Sequence, residues 1–267
     1  MRRINIQYMA TYKKRGYKPK TTKEQEVDEV IIDEKDSTTA EVFNTLDETA
    51  SKTEDWVIKN QKYIFVIIGV VAVAVLGFLG FNEFIAKPKQ AEAMNEIYQA
   101  KKYFNEAVNG TAKDSLYTLA LNGGEGKLGM VDMASQYSGT KAGNLASYYA
   151  GMAYLNLKDY KNAVTYLGNF NSEDEVLAPM AKGGIGDAFV QLNQLEDALG
   201  YYEEAANMRA NEFTTPLYLY KAGVTALDLG KADKALSYFN KIKEVYPTAT
   251  QATNIDVFIG KAQGLTN

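Results

Sequence analysis

One stretch constrains this chain more than any other. Tyr63 to Phe81, YIFVIIGVVAVAVLGFLGF, runs without a charge between Lys62 and Glu83. As a helix rising about 1.5 Å per residue it spans roughly 29 Å, which matches the hydrocarbon core of a bilayer. A core helix of a soluble protein rarely stays apolar on every side for so long. The run also exceeds a signal-peptide core of roughly 7–15 residues, and a long polar segment precedes it, so cleavage on export is not expected. The expectation is one persistent transmembrane helix over 62–85.

Local lysines do not orient it. Lys52, Lys59 and Lys62 precede the helix and Lys87, Lys89 and Lys101 follow it, so the positive-inside count is balanced. The leading tail has no export signal and opens with a basic block, whereas a long trailing domain can translocate regardless of its charge. The expected topology is an N-terminus in the cytoplasm and a C-terminal domain outside.

The chain of 267 residues leaves room for one sizeable folded domain after the span. It contains no cysteine and no histidine, which removes disulfides, thiolate nucleophiles, imidazole bases and the common zinc sites together. No convergent set of carboxylates or Ser-Lys pairs can be read from spacing. The chain is therefore not expected to be an enzyme, or to take a cofactor, a metal or a small-molecule substrate. Its net charge of -4 is too small to indicate a partner.

Residues 1–36 read as a disordered cytoplasmic tail of two charge blocks. Arg2, Arg3, Lys13, Lys14, Arg15, Lys18, Lys20 and Lys23 come first, then Glu24, Glu26, Asp28, Glu29, Asp33, Glu34 and Asp36. No nucleic-acid partner is expected from a basic block without a scaffold. Met1 and Met9 are alternative starts. Over 37–61, Thr38 and Glu41 have capping-box spacing, and Val42, Phe43, Leu46, Ala50, Trp56 and Val57 recur at helical intervals. Glu41, Asp47, Glu48, Glu54 and Asp55 line the opposite face and disfavour an anionic lipid surface. Two readings of this amphipathic juxtamembrane helix stay open. In one, Val42, Phe43 and Leu46 contact a cytosolic protein; in the other the helix is a spacer with Trp56 at the bilayer boundary.

Irregular leading helices are expected over 88–138. The first runs from about Ala91 to Val108, with Met94, Ile97, Tyr98, Phe104 and Val108 grouped on its apolar side, and a second spans roughly Ser115 to Leu121. Gly124, Gly126 and Gly129 satisfy G-x-G-x-x-G, but no strand precedes them and no Walker pattern accompanies them. They read as a turn before a helix around Val131 to Tyr137.

From 141 to 267 the chain is periodic. Gly151, Gly186, Gly223 and Gly260 stand 35, 37 and 37 apart, and Ala163, Ala198 and Ala235 follow the first three glycines by twelve residues each. One helical hairpin is being repeated. Where two helices cross closely only Gly or Ala fits, and large residues such as Leu167, Tyr202 and Phe239 fill the flanks. Turns are expected at Lys158-Asp159, Asn193-Gln194 and Gly230-Lys231.

The segments GMAYLNLKDYKNAVTYL, GDAFVQLNQLEDALGYY and AGVTALDLGKADKALSYF resemble tetratricopeptide repeats, with Pro247 where such a unit ends and Ile255, Ile259 and Gly260 as a shortened cap. The fold class implied is all-α: a single transmembrane helix followed by an α-solenoid of tetratricopeptide-like hairpins. The resemblance places Leu145, Tyr148, Met152, Leu155, Asp187, Val190, Tyr220, Val224 and Leu227 along a concave peptide-binding groove. Met152, Asp187 and Val224 stand where repeats that grip a C-terminal carboxylate use Asn, which disfavours that mode.

MATYKKRGYKPK at Met9, STTAEVFNTLDE at Ser37, SKTEDWVIKNQKYIF before the span and TKAGNLASYYAGMAYL at Thr140 make the layout similar to the YfgM-like membrane-anchored repeat proteins, in detail to their relatives in Bacteroidota. That resemblance implies a bacterial inner-membrane protein with a periplasmic domain. Its implied partners are proteins: the SecYEG translocon, a periplasmic folding factor and exported clients. A structural subunit of another envelope complex is the alternative.

Overall fold

The computed structural model describes residues 38–266, with side chains from Thr53 onward; the expected tail over 1–36 lies outside the described residues. The chain divides into two compact units, Met1–Val70 and Val71–Asn267. Helix α1 (Thr38–Phe81) is unbroken through the apolar run, so the expected juxtamembrane helix and the span form one element. Its apolar side chains find no protein cover: Val66 is 64% and Leu76 68% exposed. Each such residue left in water forgoes about 1.5–3 kcal/mol. This helix is consistent with a single-pass membrane anchor.

Past the run the helix does not stop at Pro88. A π-turn, Asn82–Ala86, leads directly into α2 (Lys87–Asn109), and the Lys87 N–H donates to the Asn82 carbonyl five residues back. Pro88 has no N–H to give and so would break an α-helical interior, but it is tolerated in a first turn. The wider π-turn absorbs the mismatch. The expected break before Ala91 is absent for this reason.

The inner face of α2 also differs from the sequence grouping. Ala93, Ile97, Ala100, Phe104 and Ala107 are buried, whereas Met94, Tyr98 and Val108 are exposed. Three alanines seven residues apart let neighbouring helices approach closely, and this narrow face takes precedence over the larger side chains one position on. Against it pack α3 (Lys113–Asn122) and α4 (Met130–Gln136), with Met130 and Met133 fully buried. The intervening glycine segment is a turn, as expected: a Cβ on Gly129 would sit 2.1 Å from the Leu121 carbonyl oxygen.

Three hairpins and a cap follow. They are α5 (Lys141–Asn156) with α6 (Tyr160–Asn169), α7 (Leu177–Gln191) with α8 (Leu195–Asn207), and α9 (Thr214–Asp228) with α10 (Ala232–Val245), then α11 (Ile255–Thr266). Each hairpin is built on one contact. A Cβ on Gly151 would lie 2.5 Å from Leu167, one on Gly186 2.6 Å from Tyr202, and one on Gly223 2.4 Å from Phe239. Ala163, Ala198 and Ala235 are 0% exposed beside these crossings. The periodic small residues are thus places where a side chain from the second helix lies against bare backbone of the first.

The turns repeat as closely. Lys158, Asn193 and Gly230 each adopt a left-handed φ, at 63°, 59° and 71°. The next residue's N–H reaches the carbonyl five positions back, in Asp159 to Tyr154, Gln194 to Phe189 and Lys231 to Ala226. This is the helix-ending arrangement that Gly and Asn favour and Lys does not. Ile255 and Ile259 of α11 are buried on the last hairpin, while Gly260 faces open space. Among the described residues there are no strands; the regular structure is helical, with Gly124 and Lys127 forming an isolated bridge.

Candidate functional site

The first helices α5, α7 and α9 carry the residues placed on the concave side. Leu145 and Met152 are half-buried where α5 meets both the leading helices and the second hairpin. Tyr148 is different, being only 5% exposed. Its ring lies 5.6 Å from that of Tyr149 and 5.2 Å from that of Phe170, and its hydroxyl donates to the Met180 sulfur at 3.9 Å. Burial, with smaller contributions from Tyr149 and Asp174, pushes its phenol up to about 12. Leu227 is likewise buried, at 7%. These two belong to the core and present no groove surface.

The structure brings Leu155, Asp187 and Val190 together. They line a cavity of about 410 Å³ with Lys158, Tyr202 and Lys221. Tyr220 lines a neighbouring cavity of about 310 Å³ with Leu217 and Phe258, and its ring meets Phe258 edge-on at 5.0 Å. Val224 is half-buried in the cluster beneath. Lys221 lines both cavities.

The floor of the first cavity is polar and internally paired. Asp187 accepts from the Tyr202 hydroxyl at 2.6 Å and from the Lys221 ammonium at 2.6 and 2.8 Å. Lys221 in turn lies 5.7 Å from the ring centres of both Tyr202 and Tyr218, a separation at which a cation gains from the ring faces. Burial raises the Tyr202 phenol far above its ordinary range, with the Asp187 charge and hydrogen bond adding to it. Tyr218 is raised by burial and then by Asp187. Both phenols stay protonated, so Tyr202 remains a donor to Asp187.

Sequence reasoning placed Asp187 in the groove but missed Lys221, Tyr202 and Tyr218 as its neighbours. The signal available was weak. Asp187 occupies a position that is Met152 and Val224 in the adjoining hairpins, and a carboxylate there needs a counter-charge. Lys221 supplies it from a position that is not equivalent, 34 residues later. The cavity thus sets two apolar side chains, Leu155 and Val190, beside a paired charge and several neutral polar groups. Among the described residues no group of acidic side chains is placed to hold a metal ion. The side chains of Val42, Phe43 and Leu46 lie outside those described, although their backbone is helical in α1.

A family model, the tetratricopeptide repeat, matches residues 145–173 and 218–249. These segments carry the first and third hairpins. The second, between them, has the same backbone and the same glycine-on-aromatic crossing but lies outside both matches. No curated protein matches the sequence. The fold and the matches support a repeat module of the kind that binds proteins, and such modules are generally non-catalytic.

Proposed function

We propose that this chain is an inner-membrane anchor carrying a periplasmic repeat domain that binds extended apolar segments of exported polypeptides near the translocon. The observation that supports the binding role is the pair of adjoining cavities on the first helices, walled by Leu155, Val190, Leu217 and Tyr220. An extended segment places side chains alternately, and the apolar residues that line these two neighbouring hollows can meet side chains from one face of it. The anchor and the family resemblance are what support this location. The N-terminus lies in the cytoplasm in this reading, and Val42, Phe43 and Leu46 form a second contact there, for a cytosolic protein.

Three experiments test it. Protease added to spheroplasts cuts after Lys87 and spares an N-terminal epitope; the reverse pattern overturns the location. Mass spectrometry of the mildly solubilised native complex finds varied exported chains at low occupancy. One fixed partner in constant ratio, with no clients, would instead make the chain a structural subunit of an envelope assembly. For the cytosolic face, serine at Val42, Phe43 and Leu46 abolishes recovery of its partner, and identical recovery would reduce this stretch to a spacer.

A further inference from the structure

The turn of the first hairpin is built from an unfavourable residue. Lys158 holds a left-handed φ of 63°, where the equivalent residues are Asn193 and Gly230. A long side chain in that conformation costs about 1 kcal/mol more than Asn or Gly, and such strain persists where something else requires the residue. Of the three equivalent turn residues, only Lys158 lines the cavity of about 410 Å³.

The charges in that cavity do not cancel. Lys158 and Lys221 bring two ammonium groups against the single carboxylate of Asp187. Asp187 is already engaged by Lys221 and Tyr202. Asp159, beside Lys158 in the chain, accepts instead from the backbone and side-chain nitrogens of Asn162 at the start of α6. Lys158 is therefore the uncompensated cation of an open cavity lined by Leu155 and Val190, by the hydroxyls of Tyr160 and Tyr202 and by the amides of Asn156 and Gln191. An exposed ammonium in excess over the carboxylates around it favours a carboxylate from outside, a charge-assisted pairing that water and salt partly screen.

The geometry points to an acidic side chain inside the bound segment as the ligand of this cavity, gripped by Lys158 and flanked by apolar residues on Leu155 and Val190. This inference rests on the groove being the peptide-binding surface. A side chain fits better than a chain terminus for two reasons. The Tyr220 cavity shares Lys221 with this one, so a bound segment can run from one cavity to the next. Positions 152, 187 and 224 also lack the asparagines that would hold a terminal carboxylate.

The test uses the full chain in detergent micelles and labelled extended peptides of leucine and valine with one central Glu or Gln, each with a free or an amidated C-terminus. The wild type binds the Glu peptide about threefold more tightly than the Gln peptide, a gap of about 0.7 kcal/mol in keeping with a solvent-exposed pair. That preference shrinks with added salt and is indifferent to amidation. Lys158→Asn keeps a turn-compatible residue, binds the Gln peptide as the wild type does, and loses the preference for Glu. If both peptides bind equally, or if Lys158→Asn retains the preference, the acidic subsite is refuted while the apolar groove stands. A preference that follows the free terminus also refutes it. If neither peptide binds, the groove reading falls as well.

Discussion

Helices α7 and α9 occupy equivalent places in successive hairpins and are furnished in opposite ways. Two positions of α7 have been stripped: Gly183 and Gly184 leave backbone where α9 presents Tyr220 and Lys221. The two interlock because of that inequality. A Cβ on Gly183 would lie 1.8 Å from the Tyr218 ring, so the ring occupies the space a side chain would fill. Asp187 of α7 then receives Lys221 of α9. Repetition thus fixes the hairpins, each with its glycine under a large residue, whereas departures from repetition furnish the cavity that Asp187 and Lys221 line.

Filling the vacated space is the sharpest way to break this arrangement. Gly183→Ala forces the Tyr218 ring out of its seat and destabilises the domain by about 3 kcal/mol, the upper end of overpacking costs. Gly200→Ala, on α8 with open space around it, stabilises by about 0.5–1 kcal/mol. Chemical denaturation of the two variants measures the contrast. Adding Tyr218→Ala to Gly183→Ala costs much less than the two single changes together, since the second change removes the clash created by the first.

Alkali attacks the same interface. Tyr202 and Tyr218 are protonated in the folded state well above their unfolded value near 10. Their folded pKa values are raised, so their contribution is complete below pH 10 and is lost as pH climbs above it. The slope is on the order of 1.4 kcal/mol per pH unit for each titrating tyrosine. Thermal melts between pH 9 and about 12 should fall steeply, and Tyr202→Phe should flatten the fall. Tyr148, raised to about 12, adds to the loss in the same window.

The smallest expected effect concerns Lys158. Lys158→Asn, which gives this turn the residue found at Asn193, should raise stability by about 0.5 kcal/mol as backbone strain is relieved. An unchanged or lowered midpoint of denaturation would mean that the turn stores no strain.

Much of this fold was legible in the sequence, and the reason is steric. A glycine that must lie under a large side chain sixteen residues later, as Gly151 lies under Leu167, leaves a spacing that survives any change of surface residues. The α2 face was misread because Ala93, Ala100 and Ala107 are the least hydrophobic of its apolar residues yet pack closest. Which residues line the cavities was partly legible. Leu155, Asp187, Val190 and Tyr220 line the cavities, but whether Tyr148 is exposed depends on Met180, Ala181 and Phe170 closing over it, a contact no local pattern encodes. The Asp187–Lys221 pair joins non-equivalent positions of different repeats, so periodicity gave no hint of it.

The central claim is that the cavities between the first helices, and not the outer surface, receive client segments. Photo-crosslinking residues placed at Val190 and Tyr220 in living cells test it directly, with Gly200 on α8 as the control position. Capture of exported chains or translocon subunits from Val190 and Tyr220, with none from Gly200, is the predicted result; equal capture from all three positions, or capture from Gly200 alone, would contradict it.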